Sequence, residues 1–206
     1  EGYKRCPFSY IGSKSDSLQH ILPRLPYLNT FVDVFGGSGV VSLNRRPSRL
    51  DVYNDRYSGV TCFFRVVRRP ETLNQFIERI ALTPHSREEF SFCKETWEGE
   101  IDDVERAARW YTMQQMSFGG RGRFFGRVIK GKGNLWEKLQ SNLDLFHDLA
   151  HRFLTIQVEN LDWRHCLKDY DSFETVFYID PPYLEHNVYK HLMKRAEHKE
   201  LCDKIF

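Results

Sequence analysis

The sequence predicts an α/β fold in which an open sheet carries ligand-binding loops at the carboxyl ends of its strands. Three observations lead there. Two short apolar runs rich in β-branched and aromatic residues, 31–35 and 175–179, read as buried strands. Each run stops abruptly, the first at Gly36-Gly37-Ser38-Gly39 and the second at Asp180-Pro181-Pro182-Tyr183. Between them, residues 57–116 carry apolar side chains at helical spacing.

Composition sets the scale. A chain of 206 residues buries one core, or one core with a modest appended subdomain. The formal charge of +2 says little about partners, so local clustering of charge matters more. Five cysteines, odd in number and without a Cys-x-x-Cys, support neither a zinc site nor a disulfide framework; they read as buried thiols in a reducing compartment. No apolar run approaches a membrane span and no signal-peptide pattern opens the sequence, so the expectation is an intracellular, soluble protein that needs no membrane.

Residues 7–14 are turn-rich and lead into a helix-like segment, 15–25, with Leu18, Ile21, Leu22 and Leu25 on one face. On composition this is a cap and a packing helix; beside a ligand, Lys14 would offer a cation and Tyr10 an aromatic wall. The strand at 31–35 then meets the glycine loop, and 40–44 begins a helix. Glycines let the main chain turn sharply and approach a ligand closely, and amides at a helix start face an acceptor. Ser42 stands where a dinucleotide fingerprint needs its third glycine, and no Gly-Lys-Ser/Thr follows, so the loop suits a nucleoside cofactor better than a pyrophosphate one. A second strand, 49–55, ends on Asp55, in the place where a carboxylate takes ribose hydroxyls; Asp51, near the strand start, is expected to face solvent.

In residues 57–116, Pro70 and Pro84 break the helices, 73–80 and 104–116 look core-facing, and the acidic run 98–105 looks like a solvated face. Residues 117–134 differ in character. Arg121, Arg123, Arg127, Lys130 and Lys132 occur without an acidic residue among them, interleaved with Phe118, Phe124 and Phe125. One reading is a mobile, solvated loop. The other is nucleic-acid contact: basic side chains neutralise phosphates, arginine reads guanine edges, and an aromatic wedges into a stack. A helix at 135–150 leads to a third strand, 153–159, whose end carries Asn160-Leu161-Asp162, where a cofactor base would lie. The fourth strand delivers Asp180, and 194–206 reads as a helix. Two prolines cannot donate to a ladder and force an extended turn. That turn presents a carboxylate, free main-chain carbonyls and the Tyr183 ring, a set suited to a planar substrate with an exocyclic amino group.

In order and spacing, these motifs resemble the Dam-like (D12 class) N6-adenine DNA methyltransferases that use S-adenosylmethionine. Tyr10-x-Gly12-x-Lys14 resembles the N-terminal cofactor motif, Asp33-x-Phe35-x-Gly37-x-Gly39 the methionine-binding loop, Asn54-Asp55 the acidic cofactor position, and Asp180-Pro181-Pro182-Tyr183 the catalytic motif. The resemblance implies a Rossmann-like class I methyltransferase sheet, built from residues 1–56 and 151–206, with a helical and basic target-recognition domain inserted at 57–150. It implies S-adenosylmethionine held by Tyr10, Lys14, Asp33, Asp55, Asp162 and Asp180, with Phe35, Gly36, Gly37, Ser38 and Gly39 around the methionine end. Double-stranded DNA would lie against Phe118, Arg121, Arg123, Arg127, Lys130 and Lys132, Arg123 standing where such enzymes read guanine. Asp180, Pro181, Pro182 and Tyr183 would be catalytic, acting on an extruded adenine by direct in-line transfer without a metal, in a monomer or a dimer on DNA.

Two departures stand out. Gly119 replaces the usual asparagine in a shortened hairpin, and family members continue through further strands, so the sequence implies a sheet whose C-terminal strands are missing and whose edge is left uncovered. Alternative readings are methylation of cytosine N4, an RNA base or a protein glutamine, or an inactive DNA-binding relative.

Overall fold

The structure, a computed structural model, describes residues 3, 4, 6, 8, 10, 12–127, 133–184 and 193–205. Among these, four parallel strands form one sheet: β1 (Thr30–Asp33), β2 (Leu50–Asn54), β3 (Ile156–Glu159) and β4 (Thr175–Tyr178), in the spatial order β3-β2-β1-β4. The chain places β2 and β3 to one side of β1 and β4 to the other, so the topology reverses between β1 and β4. Asp33 is in register with Tyr53 on β2 and with Tyr178 on β4, so the carboxyl ends of the three strands are level. A crevice opens at such a reversal because the chain leaves the two strands in opposite directions. This is a Rossmann-like α/β arrangement.

The helices are α1 (Leu18–Ile21), α2 (Val40–Asn44), α3 (Ser58–Val67), α4 (Pro70–Ala81), α5 (Arg87–Thr96), α6 (Asp103–Met116), α7 (Leu135–Phe153), α8 (Trp163–Tyr170) and α9 (Arg195–Ile205). Their starts follow local chemistry. Ser86, Asp102 and Asn134 each accept the amide of a glutamate three residues on (Glu89, Glu105 and Glu137), and Pro70 sits at the first turn of α4, where no amide is required.

The sheet is packed on both faces. Val32 and Val52 lie against Trp163 and Cys166 of α8 and Leu201 of α9, while Phe31 and Val176 meet Leu18, Val40 and Val41. The largest apolar cluster joins the helices α3 to α7 to the sheet. Tyr53 meets the ring of Phe64 edge-on, with centroids 4.7 Å apart, and Phe64 stacks on Phe153 at 4.4 Å. The cluster then runs on through Phe63, Phe76, Trp110, Tyr111 and Phe146. No helix among the described residues is long and apolar enough to cross a membrane.

Several expectations need correction. Asp51 does not face solvent: it is 4% exposed and accepts from Arg152 Nη2 at 2.6 Å, with Arg45 Nη1 at 3.5 Å. A parallel strand flanked by helices is buried from its first residues, and its acid must find cations there. The segment 15–25 is not one helix but a short α-helix between two 3-10 turns, because Pro23 removes an amide from the ladder. Phe153 belongs to α7 rather than to the third strand, held there by its stack on Phe64. Cys202 is exposed, unlike Cys62, Cys93 and Cys166.

Candidate active site

The glycine loop leaves β1 and turns back over β2. Gly36 N donates to Asn54 O at 2.8 Å, and the Tyr53 ring lies where a Gly36 side chain would be, its Cε2 2.2 Å from an ideal Cβ. Gly37 has φ +49°, a left-handed conformation that disfavours other residues, and a Cβ there would come within 3.0 Å of the Tyr10 ring. The loop and the N-terminal segment are therefore in contact, and Ser38 Oγ donates to Ser13 Oγ at 3.2 Å.

Asp55 fastens this loop from the next strand. Its carboxylate accepts from Gly37 N at 2.8 Å and from Tyr57 N at 2.7 Å. Burial pushes its pKa up to about 6, against the lowering effect of those two amides. Asp33, 2% exposed at the end of β1, accepts from Ser42 Oγ at 2.8 Å. Burial raises its pKa to about 7; the Ser42 hydroxyl opposes the rise, and the charges of Asp55 and Asp180 add to it.

The proline turn leaves β4 beside these groups. Lys14 pairs with the Asp180 carboxylate, donates to Gly12 O at 3.0 Å, and lies 5.3 Å from the centre of the Tyr183 ring. The Tyr183 hydroxyl donates to Asp180 Oδ1 at 3.3 Å. Burial works against the Lys14 ammonium, but its hydrogen bonds to Asp180 and Tyr183 outweigh it, and its pKa lies above the ordinary lysine value.

One cavity of about 810 Å³ opens over this end of the sheet. Tyr10, Lys14, Asp33, Phe35, Gly36, Gly37, Ser38 and Asp55 line it together with Asp180, Pro181 and Pro182. The loop residues Arg121 and Arg123 reach its far wall. Other residues singled out from sequence lie around it. Gly39 is not among the lining residues and serves as the left-handed cap of α2, and Tyr183 is 45% exposed. Leu161 and Trp163 line the cavity, whereas the intervening Asp162 caps α8 and pairs with Arg56 and Arg164. Burial alone would raise the Asp162 pKa, but the Arg164 amide and the two guanidinium groups hold it below the usual carboxylate range.

Residues 116–126 of the basic stretch and its approach form a tight loop. Phe118 N donates to Phe124 O at 2.8 Å and Gly126 N to Met116 O at 2.7 Å. The tip carries Phe118 and Phe124 at 72% and 75% exposed, with Arg121, Arg123 and Arg127 exposed around them. Lys94 Nζ ties the loop to α5 by donating to Arg123 O at 3.0 Å. Lys130 and Lys132 lie outside the described residues.

Sequence reasoning missed the wall contributed by the helices. Tyr57, Lys94, Trp97, Met113 and Gln114 line the cavity from 57–116, a stretch to which the sequence reading assigned no chemistry. The available signal was Gln114-Gln115, two amides at core-facing positions of α6. Both are buried, and the Gln114 Oε1 atom has no hydrogen-bond partner among the described residues. His198 on α9 was also missed; its Nε2 lies 3.0 Å from Pro182 O. Among the described residues no group of three His, Cys, Asp or Glu side chains is arranged to hold a metal ion.

Comparison with known proteins gives this arrangement a family. Modification methylase LlaI of Lactococcus lactis subsp. lactis is 27% identical over 194 residues, covering 87% of this chain and 30% of the relative. Modification methylase StsI of Streptococcus sanguinis is 24% identical over 200 residues, covering 88% of this chain and 29% of the relative. The chain thus spans less than a third of the length of these curated relatives. The family model for the D12 class N6 adenine-specific DNA methyltransferases matches residues 10–205. With nearly the whole chain inside that match, and with its glycine loop and Asp-Pro-Pro-Tyr turn on adjacent strands, the protein belongs to the D12 class N6 adenine-specific DNA methyltransferase family.

Proposed function

We propose that this chain transfers a methyl group from S-adenosylmethionine to N6 of an adenine extruded from duplex DNA. The observation that carries the reading is the pairing of β1 with β4, which makes the glycine loop and the proline turn two walls of one cavity. The residues present suit the methyl donor. The cavity is of nucleoside scale, Gly36 and Gly37 line it, and the carboxyl groups of Asp33, Asp55 and Asp180 lie along the wall where a sulfonium would be held. When bound, S-adenosylmethionine supplies an electrophilic methyl group on positively charged sulfur. Tyr10 and the glycine loop would hold its methionine end, Asp55 its ribose, and Leu161 and Trp163 its base.

The chain's own work is positioning and charge. An adenine amino group is a poor nucleophile because its lone pair is delocalised into the ring. Asp180 and the Pro181 carbonyl oxygen can only accept hydrogen bonds, and accepting from both N6 protons draws the amine toward a tetrahedral shape. Asp180 also holds the N6 proton that must leave as nitrogen forms its new bond. In the free protein Lys14 pairs with one Asp180 oxygen and the Tyr183 hydroxyl donates to the other, so a carboxylate able to accept further hydrogen bonds already faces the site. The base must leave the duplex to reach this pocket. Tyr183, on its open side, offers a face for stacking, and the exposed phenylalanine and arginine loop offers a wedge and phosphate contacts. In this reading residues 57–150 serve as the target-recognition domain, and 1–56 with 151–206 as the catalytic one.

The test is transfer of radiolabelled methyl from the donor to duplex DNA, followed by nucleoside analysis. N6-methyladenine is the expected product, and Asp180→Ala should lose turnover by at least about a hundredfold while still binding DNA. Label in cytosine N4, RNA or protein, no label at all, or near-normal turnover by Asp180→Ala would each overturn the proposal.

A further inference from the structure

We propose that His198 is the positioning residue of the Asp180–Tyr183 turn, holding the main chain in place while Asp180 is engaged by substrate. The inference rests on the functional reading above and concerns a residue sixteen positions beyond Pro182. Pro181 and Pro182 have no amide hydrogen, so the middle of this stretch cannot be tied down by donating to the sheet. It must be held through its acceptors or its side chains. Two of its contacts, from Lys14 and from the Tyr183 hydroxyl, end on the Asp180 carboxylate. Both end on the group that the incoming amino group must also meet, so they hold the carboxylate rather than the main chain behind it. The contact from His198 is different. Its Nε2 lies 3.0 Å from the Pro182 carbonyl oxygen, a main-chain acceptor that the proposed chemistry does not use.

The imidazole is delivered from a fixed platform. Leu201, one turn further along α9, is 3% exposed in the core beneath the sheet with Val32, Val52 and Trp163. Glu200 accepts a two-pronged contact from Arg164 on α8, at 2.7 Å from Nε and 2.5 Å from Nη2. At the start of the helix, Lys194 N donates to Glu197 Oε2 at 2.9 Å. The helix is thereby pinned to the core and to α8, and His198 passes that rigidity to the turn. A carbonyl only accepts, so Nε2 carries the hydrogen, in the neutral ring as in the protonated one. Fixing the Pro182–Tyr183 peptide plane in turn sets the direction of the Pro181 carbonyl and the Tyr183 ring, the groups that must meet an extruded base. A displacement of about 1 Å at such a site is enough to cost a large factor in rate.

The experiment compares His198→Leu, which keeps bulk but has no donor, with His198→Gln, whose amide nitrogen reaches as far as Nε2. Methyl-transfer kinetics, donor affinity by calorimetry and melting temperature are measured for both. His198→Leu should lower kcat about tenfold or more with donor affinity and melting temperature close to the parent, and His198→Gln should recover most of the loss. The proposal is overturned if the leucine variant stays within about twofold of the parent kcat, if glutamine is no better than leucine, or if the loss follows the melting temperature alone. Two-bond proton–nitrogen NMR of the unliganded parent, at a pH where the ring is neutral, decides the contact without any turnover. An Nε2–H tautomer supports it and an Nδ1–H tautomer overturns it. Should the parent transfer no methyl group, the functional reading fails while the NMR result still judges the clamp.

Discussion

Asp33 should make the fold pH-dependent in a way that one substitution can isolate. The carboxyl is 2% exposed, and burial raises its pKa from 3.8 to about 7, with Asp55 and Asp180 adding to the rise and Ser42 opposing it. Unfolded, it ionises near its ordinary value; folded, it keeps its proton until about 7. Between those values the native state binds more protons, so its contribution to stability falls as pH rises from about 4 to about 7 and is level above that. Ionising the group inside the protein then costs about 4 kcal/mol relative to ionising it in the unfolded chain. An asparagine side chain at this position would be neutral at every pH and would still offer an oxygen to the Ser42 hydroxyl. Asp33→Asn is therefore expected to match the parent closely near pH 4.5 and to exceed its stability by about 3 to 4 kcal/mol near pH 8.5. Urea unfolding of both proteins at the two pH values measures this directly. A stability difference that is the same at both would show that Asp33 does not hold its proton in the folded state, and the account of its charge environment would be wrong.

The other expectations can be stated briefly. Asp51→Ala leaves the Arg45 and Arg152 guanidinium groups buried without their carboxylate, and should cost about 3 to 5 kcal/mol in urea unfolding. Gly37→Ala forces a side chain into φ +49° and to within 3.0 Å of the Tyr10 ring, so donor affinity by calorimetry should fall about tenfold while the sheet remains folded. Arg121→Ala and Arg127→Ala should each weaken duplex binding for all sequences and reduce the slope of log affinity against log salt by about one, whereas Arg123→Ala should mainly relax sequence preference.

How far the sequence alone carries is best seen residue by residue. The strand at β1 and the loop after it were readable because β-branched and aromatic residues ran straight into glycines, a local signal that needs no distant partner. Asp180 was readable for the same reason, since two prolines determine their own geometry. Asp51 was misplaced because its partner Arg152 lies 101 residues away, and nothing near Asp51 announces a buried cation. The start of β3 was misjudged because Phe153 and Leu154 run directly into the Ile156-Gln157-Val158 strand pattern, and nothing in so short a stretch marks where the helix ends. The cavity wall around α5 and α6 was harder to read because Trp97 and Met113 belong to the same buried cluster as Trp110 and Phe63, and local pattern does not tell which of its members also face a cavity.

The stacked rings of Phe64 and Phe153, with Tyr53 at their edge, have a consequence for the proposed recognition of DNA. They bolt the helical segment to the strands, so the span from loop tip to proline turn behaves like a fixed gauge. Under the proposed function, substitutions at the exposed tip would change which bases are met and leave that gauge untouched. Substitutions inside α6 or α7 would alter its length and blunt the chemistry at the other end, so divergence in recognition should collect at residues 118–124 and spare the rings behind them.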